Sequence, residues 1–576
     1  MNNRSHLLLM LLWLGIGTSL RFVRLESLPP WTDECATIVF SLGNSFHTVP
    51  LNQAISSDVL LHPLQPIPTT GISAVIEHLF DESNHPPVYF AVAHFWMKMF
   101  SPTGEIASIW VARSLSALLG VASIPAMFGF GYLAFRSKLV GQMAAVMMAV
   151  SPYTVFLGRE ARHYTLAILL VIASLCCLVK AIQTIHHQQS LPMWVVLAWV
   201  TVNSLGVATH YFFTLTLCAE GFVLLWQIWL KSQQTHPVQH NWWRIWIVAM
   251  ATLIGCLIWI PTLQNIPGSD LTNWVVGSNP QVRWLEPIGR LLLWTMSMLL
   301  LLPSTLTNLP MVIVVVSGVL TLLFLFWSLP KLTYGLKIQG QYPDSYLAIQ
   351  ILSMYVIGAI ALCLCFTYGL GMDLTLAARF QFFYAPAVIL LLGAALAGCW
   401  NQVQNLNHHK QKFWFLVNGK VAVSLIWLMA VLGGVTAAWN LGYLQNQRPD
   451  VLASIIQKAS PGNVLIATNH LHHGQTGRMM GLAWQLKHQP DKNLQFFLAH
   501  KDSETKTYTH ALQVFQEKLT EIPRPLDLWL VEFRTQVDLE SQHCVPDNQY
   551  GKSAGEYSYK LYRCFIQNSS TVVKGY

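Results

Sequence analysis

SPYTVFLGREARHYTLAILLVIASLCCLVKAI occupies residues 151–182, and it decides the fold. From His163 to Ile182 only Lys180 is charged, and it sits near the end of the run. About 20 apolar residues in a helix match the thickness of a bilayer's hydrocarbon core. The run is therefore a transmembrane span, read as 163–182. Residues 139–157 form a second apolar segment before it. Arg159, Glu160 and Arg162 are confined to the short turn between the two. A hairpin of two spans with charges at its tip is the expected reading.

The same pattern recurs along the chain. Eleven spans are expected: 7–23, 108–134, 139–157, 163–182, 192–209, 211–230, 244–261, 309–329, 346–370, 380–399 and 421–439. A backbone in lipid must satisfy its polar groups internally, so these are helices and the fold class is an all-α polytopic membrane domain. Two apolar stretches, 86–100 and 288–302, are too short or too interrupted to span and are expected to lie along the membrane surface. The N-terminal run reads as an uncleaved first span, because no small-residue cleavage site follows it.

Composition agrees. The chain is 53% hydrophobic and 10% charged, with a mean hydropathy of +0.43, whereas soluble domains carry about 25% charged residues. Residues 440–576 hold 26 of the 60 Asp, Glu, Lys and Arg residues. Two domains are expected. Residues 1–439 form the membrane domain, with 24–107 as its first outer loop, and 440–576 form a soluble α/β domain. In the latter, 463–467, 528–531 and 558–563 read as strands, and 451–458 and 509–519 as helices. The net charge of +8 lies in short loops between spans, which excludes a nucleic-acid footprint.

Charge also sets the orientation. With residue 1 inside, the inner loops carry Arg4, Arg136, Lys138, Lys180, Lys231, Arg244, Lys331, Lys337, Lys410, Lys412 and Lys420 against Asp344 alone. The outer segments, the tail apart, hold more acids than bases. This is the positive-inside pattern. An odd span count then leaves the C-terminal domain outside the plasma (inner) membrane. Cys544 and Cys564 fall in that domain, where a disulfide is compatible with an oxidising compartment. Cys176, Cys177, Cys218, Cys256, Cys363, Cys365 and Cys399 lie in apolar segments, and no Cys/His spacing reads as zinc.

Five outer motifs carry candidate chemistry. The first loop opens with Pro29-Pro30-Trp31-Thr32-Asp33-Glu34. Further on come His85-Pro86-Pro87-Val88-Tyr89-Phe90, then Ser151-Pro152-Tyr153 with Gly158-Arg159-Glu160-Ala161-Arg162-His163-Tyr164, then Thr209-His210-Tyr211-Phe212. Arg379-Phe380, with Pro386 downstream, opens a late span. Their order and common outer placement resemble the GT-C glycosyltransferases, in particular the protein O-mannosyltransferases of family 39 and the lipid A aminoarabinose transferase. The resemblance covers roughly residues 7–400.

It implies a transferase that moves a sugar from a polyprenyl-phosphate donor to an extracytoplasmic acceptor, whether glycolipid, polysaccharide or protein. Asp33 and Glu34 would be the catalytic acids. His85, Tyr89, Arg159, Arg162, Tyr164, His210, Tyr211 and Arg379 would bind the donor's phosphate and sugar. The chemistry suits these residue types. A carboxylate takes the acceptor proton, and guanidinium forks stabilise charge on a leaving phosphate. No cofactor is required and no metal ligand set is assigned. If a divalent ion binds, Asp33 and Glu34 are its first candidates.

Plainer readings stand beside each assignment. Asp33 and Glu34 suit a helix start whatever their chemistry. Arg159 and Arg162 suit snorkelling, with Glu160 as their partner. His163 suits a structural hydrogen bond, and the tyrosines suit an interfacial belt. Glu220, deep in a span, suits a paired core role. His470, His472 and His473 read as a loop surface. The alternative functions are a transporter, or an envelope sensor or assembly protein without transferase activity.

Overall fold

A computed structural model describes residues 3–102, 104–233, 242–264, 273–276, 284–305, 309–401, 418–444, 446–487, 493–502 and 504–565. Lys410, Lys412 and the sequon Asn568-Ser569-Ser570 fall outside the described residues. The chain divides into two compact units. The first comprises Met1–Leu25, Asn84–Tyr89 and Arg113–Leu444; the second comprises Glu26–Ser83, Phe90–Ala112 and Gln445–Tyr576.

The first unit is helical. Among the described residues seven helices are long and apolar enough to cross a membrane: Asn3–Phe22, Ile109–Phe135, Tyr164–His186, Phe213–Leu230, Met311–Gln339, Pro343–Gly369 and Gly419–Ala438. Lys138–Val150 and Pro152–Gly158 pass the same length and composition test as a pair bent by 56°. Met193–Thr209, Trp243–Leu257 and Ala385–Trp400 are shorter apolar helices. Each of the eleven expected spans falls on one of these elements. The protein is a multi-pass membrane protein. The stretches expected to lie on the surface form helices of 13 and 12 residues, Val88–Phe100 and Glu286–Ser297.

Small residues let these helices approach closely, as is usual where helices pack in lipid. A Cβ added to Gly398 would meet the Gly335 carbonyl oxygen at 2.0 Å. The bend at Ser151-Pro152 has a different cause. Pro152 starts a new helix, because its ring and missing N–H end the one before. The carbonyls left open there are taken by a buried arginine from the first helix. Arg21 donates to Met148 O and Ala149 O, each at 2.9 Å, and to Thr154 Oγ1 at 3.2 Å.

The second unit contains a six-stranded mixed sheet in the order β1-β3-β2-β4-β6-β5. The strands are β1 (Ala54–Ser56), β2 (Asn463–His470), β3 (Leu494–His500), β4 (Leu526–Val531), β5 (Cys544–Ala554) and β6 (Tyr557–Cys564). β2 runs parallel to both β3 and β4, and its centre is a continuous buried run, as expected for a strand covered on both faces. Cys544 and Cys564 are cross-strand partners of β5 and β6 and are disulfide-bonded.

Here the observed division differs from the expected boundary at residue 440. Most of the first outer loop packs with the tail. β1 comes from that loop and pairs antiparallel with β3, with Ala54 opposite Phe497. The helix Thr32–Ser41 packs on the tail helix His473–Leu486. Two glycines one turn apart allow this approach. A Cβ on Gly477 would meet Thr32 O at 3.0 Å, and one on Gly481 would meet Pro30 O at 2.5 Å.

Candidate active site

The first unit gathers five of the expected residues around a buried imidazole. His163 caps the start of the helix Tyr164–His186 and is 1% exposed. Its ring centroid lies 4.4 Å from that of His210, 4.5 Å from Tyr164, 5.5 Å from His85 and 6.1 Å from Tyr89. Both of its ring nitrogens are buried without a hydrogen-bond partner among the described residues. A buried polar group left unsatisfied costs about 1–3 kcal/mol, so such a group invites a functional explanation.

Arg162 is the fixed cation of this group. Its Nη2 donates to His85 Nε2 at 3.0 Å, and its guanidinium lies 5.9 Å over the Tyr164 ring. A guanidinium can only donate, so His85 keeps its proton on Nδ1. The backbone is pinned too. Ser116 Oγ donates to Arg162 O at 2.9 Å, while Tyr89 Oη and Ser116 Oγ share a bond of 2.8 Å.

His210 follows the helix Met193–Thr209 at the mouth of a turn. Its Nδ1 accepts from Phe212 N at 3.0 Å, so in the neutral ring the proton sits on Nε2. Burial lowers the pKa of His163 and His210 well below the usual range. The positive field of Arg162 and Arg379 lowers both further, and His85 adds to it. Both imidazoles are therefore neutral at pH 7 and act as polar groups beside two permanent charges. Tyr211, next in the chain, has its phenol pushed up to about 12 by burial.

Arg379 comes from the 3₁₀ turn Ala378–Phe383, which Tyr153 Oη anchors through Ala378 O at 3.1 Å. Its guanidinium lies 5.7 Å over Trp274 and 5.5 Å over Phe380. Phe382 from the same turn lies 4.9 Å from the His210 ring.

Arg159 departs from its expected role as a phosphate ligand. Its Nη2 donates to Arg24 O at 3.0 Å, and its Nη1 reaches Leu20 O, Arg21 O and Val23 O. These are the open carbonyls at the C-terminus of the first helix, so Arg159 serves as that helix's cap. Burial lowers its pKa to about 10, with help from Arg113 and Arg24, which leaves it charged at neutral pH.

In the second unit the two expected acids separate. Glu34 is 1% exposed, and its Oε2 accepts from Trp31 N at 3.4 Å, which closes the start of its helix. Asp33 is half-buried. Gln447 of the tail accepts from Thr32 N at 3.4 Å and also bonds Thr32 Oγ1, fixing the residue before Asp33. His473, at the start of the tail helix, stacks on Phe46 with centroids 5.0 Å apart. Burial and His472 lower its pKa to about 3, while the Asp33 carboxylate opposes that shift. Among the described residues no third His, Cys, Asp or Glu joins Asp33 and Glu34 within metal-ligand distance.

The tail histidines also differ from the loop-surface reading. His470 ends β2 at 5% exposure, with Nδ1 2.9 Å from His500 Nδ1 and Nε2 2.8 Å from Thr476 Oγ1. His472 caps the following helix by accepting from Gly474 N. Glu220 occupies the core role expected of it. Its carboxylate accepts from Ser174 Oγ at 2.7 Å and Trp199 Nε1 at 3.2 Å.

Three residues in these arrangements escaped the sequence reading: His163 as a site residue, Arg21 and Arg113. The last donates to Leu25 O at 2.8 Å. Charged residues inside or at the ends of apolar runs were their only mark.

Comparison with known proteins bears on the same segments. A search of curated protein sequences returns no match. Among solved structures, the chain is similar to ArnT from Cupriavidus metallidurans bound to undecaprenyl phosphate, at 13% identity and TM-score 0.47, covering 96% of this chain and 97% of that one. It is also similar to the archaeal oligosaccharyltransferase AglB from Archaeoglobus fulgidus in complex with an inhibitory peptide and a dolichol-phosphate, at 11% identity and TM-score 0.45, covering 99% and 75%. Residues 93–273 match the family described as dolichyl-phosphate-mannose-protein mannosyltransferase. That match spans the Gly158–Tyr164 and Thr209–Phe212 motifs. Residues 93–273 are thus similar to the protein mannosyltransferases, one of the families that the motifs resemble.

Proposed function

We propose that the protein is an integral membrane glycosyltransferase that moves a sugar from a polyprenyl-phosphate donor to an extracytoplasmic hydroxyl, with inversion at the anomeric carbon. The observation that carries this reading is the dry group of His85, Arg162, His163 and His210, together with Arg379. It combines permanent positive charge with a buried imidazole, His163, whose two ring nitrogens have no hydrogen-bond partner among the described residues. A phosphate monoester or diester matches it, because it offers several acceptor oxygens and negative charge to forked donors.

In the proposed step the acceptor oxygen attacks the anomeric carbon while Asp33 takes its proton. The bond between that carbon and the phosphate oxygen breaks, and its electron pair leaves on the lipid phosphate. Arg162 and Arg379 stabilise that charge, and His210 Nε2–H supplies a further donor. Glu34 holds the start of the Asp33 helix and acts through it as a positioning residue. Tyr89 and Tyr164 shape the group around His163. A pentose and a hexose both satisfy this scheme, and so do glycolipid, polysaccharide and protein acceptors.

The test is donor turnover by the purified full chain in detergent. The wild type releases free polyprenyl phosphate from a polyprenyl-phosphate-linked sugar in step with sugar appearing on an acceptor. Arg162→Ala and Arg379→Ala lose that release by 100-fold or more. Unchanged release in both variants removes the reading. Substrate flux across reconstituted vesicles without sugar transfer would replace it with a transporter.

A further inference from the structure

We infer that the second unit holds a divalent transition-metal ion, zinc by its donor set, between His47, Asp81 and Glu82, with His78 as a fourth donor. This site does not include Asp33 and does not depend on the proposed reaction.

The four residues come from two short elements of the first outer loop. His47 lies in the 3₁₀ turn Phe46–Thr48, while His78, Asp81 and Glu82 occupy the last two turns of the helix Ile72–Glu82. Glu82 is the unusual member, at 8% exposure. Its Oε2 accepts from Phe46 N at 2.9 Å, which orients the carboxylate toward the turn. Its Oε1 is buried and receives no hydrogen bond among the described residues. A buried carboxylate oxygen that receives no hydrogen bond and has an imidazole nitrogen beside it suits a cation.

Other donors lie close by. His78 Nδ1 lies 3.4 Å from Glu82 Oε1, and His47 Nδ1 lies 3.9 Å from Asp81 Oδ2. One donor atom from each of His47, Asp81 and Glu82 falls within 4.8 Å of the others, and among the described residues theirs is the only such group of three. Tetrahedral ligands about 2.0–2.1 Å from zinc sit roughly 3.3 Å apart. For His47, Asp81 and Glu82, closing the observed spread requires a shift of roughly 1.5 Å at most on that geometry. The His47 and Asp81 side chains are 73% and 67% exposed, so rotamer changes supply it.

The donor set chooses the metal. Two imidazoles with two carboxylates suit zinc, whereas calcium and magnesium take oxygen donors. Phe46 N, which holds Glu82, is the outer-shell contact on the carboxylate. The ion would clamp the turn to the helix end. Phe46, inside that clamp, packs edge-on to Phe40 of the Asp33 helix with centroids 5.4 Å apart and stacks on His473. The ion is thus a brace for the unit that carries Asp33.

Zinc itself is the probe. The full chain in detergent is stripped with EDTA, desalted, loaded with zinc, desalted again and assayed by elemental mass spectrometry. The wild type should retain one more zinc per chain than the double variant His47→Ala/Asp81→Asn, whose changed side chains are exposed and leave packing intact. Glu82→Gln, which keeps an acceptor for Phe46 N, should lose the same ion. EDTA should lower the thermal midpoint of the wild type and leave that of the double variant unmoved. Equal zinc in wild type and variants overturns the inference. So does retention displaced by millimolar calcium or magnesium.

Discussion

Replacing His163 with leucine separates a functional imidazole from a structural one. The ring is 1% exposed, and among the described residues neither nitrogen is bonded. Removing it relieves an unsatisfied buried polar group, worth about 1–3 kcal/mol. Leucine has a similar volume but a different shape, and such swaps cost up to about 1.5 kcal/mol. The net effect on folding is therefore between roughly neutral and a gain of about 3 kcal/mol on these figures. Transfer should move the other way. Loss of one preorganised polar group at a developing charge lowers the rate by about 100–1,000-fold, or about 2.7–4 kcal/mol. The assay pairs thermal unfolding of the detergent-purified chain with release of polyprenyl phosphate at pH 7.5. A variant with a clearly lower unfolding midpoint and full transfer would refute the reasoning, because it would make His163 a packing residue.

Gly481→Ala places a Cβ 2.5 Å from Pro30 O, three residues before Asp33. Transfer should fall at least 10-fold while Gly462→Ala, whose Cβ meets nothing, leaves it unchanged in the same assay. Acid should destabilise the second unit. Burial, followed by His500, His472 and His473, lowers the His470 pKa from the usual 6.5 to about 3. The unfolded chain then takes up a proton below pH 6.5 that the folded chain refuses, so stability falls with pH. Between pH 6.5 and 5 the loss is about 2 kcal/mol. Hydrogen exchange across β2 should show it, with a shallower slope in His470→Gln. Reducing the Cys544–Cys564 bond, 20 residues apart, should cost about 3 kcal/mol by loop entropy. A denaturant titration with and without reductant measures it.

Much of the first unit was legible because lipid imposes one rule, and the rule is written in length and apolarity. The run from Tyr164 to His186 needs no partner to be recognised. The bend at Pro152 was legible in outline from the proline. Its stabilisation was not, because Arg21 looks like an ordinary span-end charge until Met148 O and Ala149 O are seen to need it.

Arg159 shows the same limit in reverse. A motif gives residue type and order, but which carbonyls lie in reach depends on where the first helix ends. The second unit was legible only in its longest strands. β1 is three residues whose role is to pair its backbone with a strand over 400 positions away, and no side-chain pattern encodes that. Gly477 and Gly481 likewise read as weak points in a helix until the Asp33 helix is laid across them. Of the acid pair, position marked both, and only geometry distinguished Glu34, turned back to Trp31 N, from Asp33.

The central claim is that Asp33 removes the acceptor's proton. Its most direct measurement is single-turnover transfer by Asp33→Asn against wild type, with donor binding followed separately. Donor affinity within about twofold of wild type, together with transfer reduced 1,000-fold or more, is the predicted result, since a positioned base contributes about 100–10,000-fold. Wild-type transfer by Asp33→Asn would contradict it.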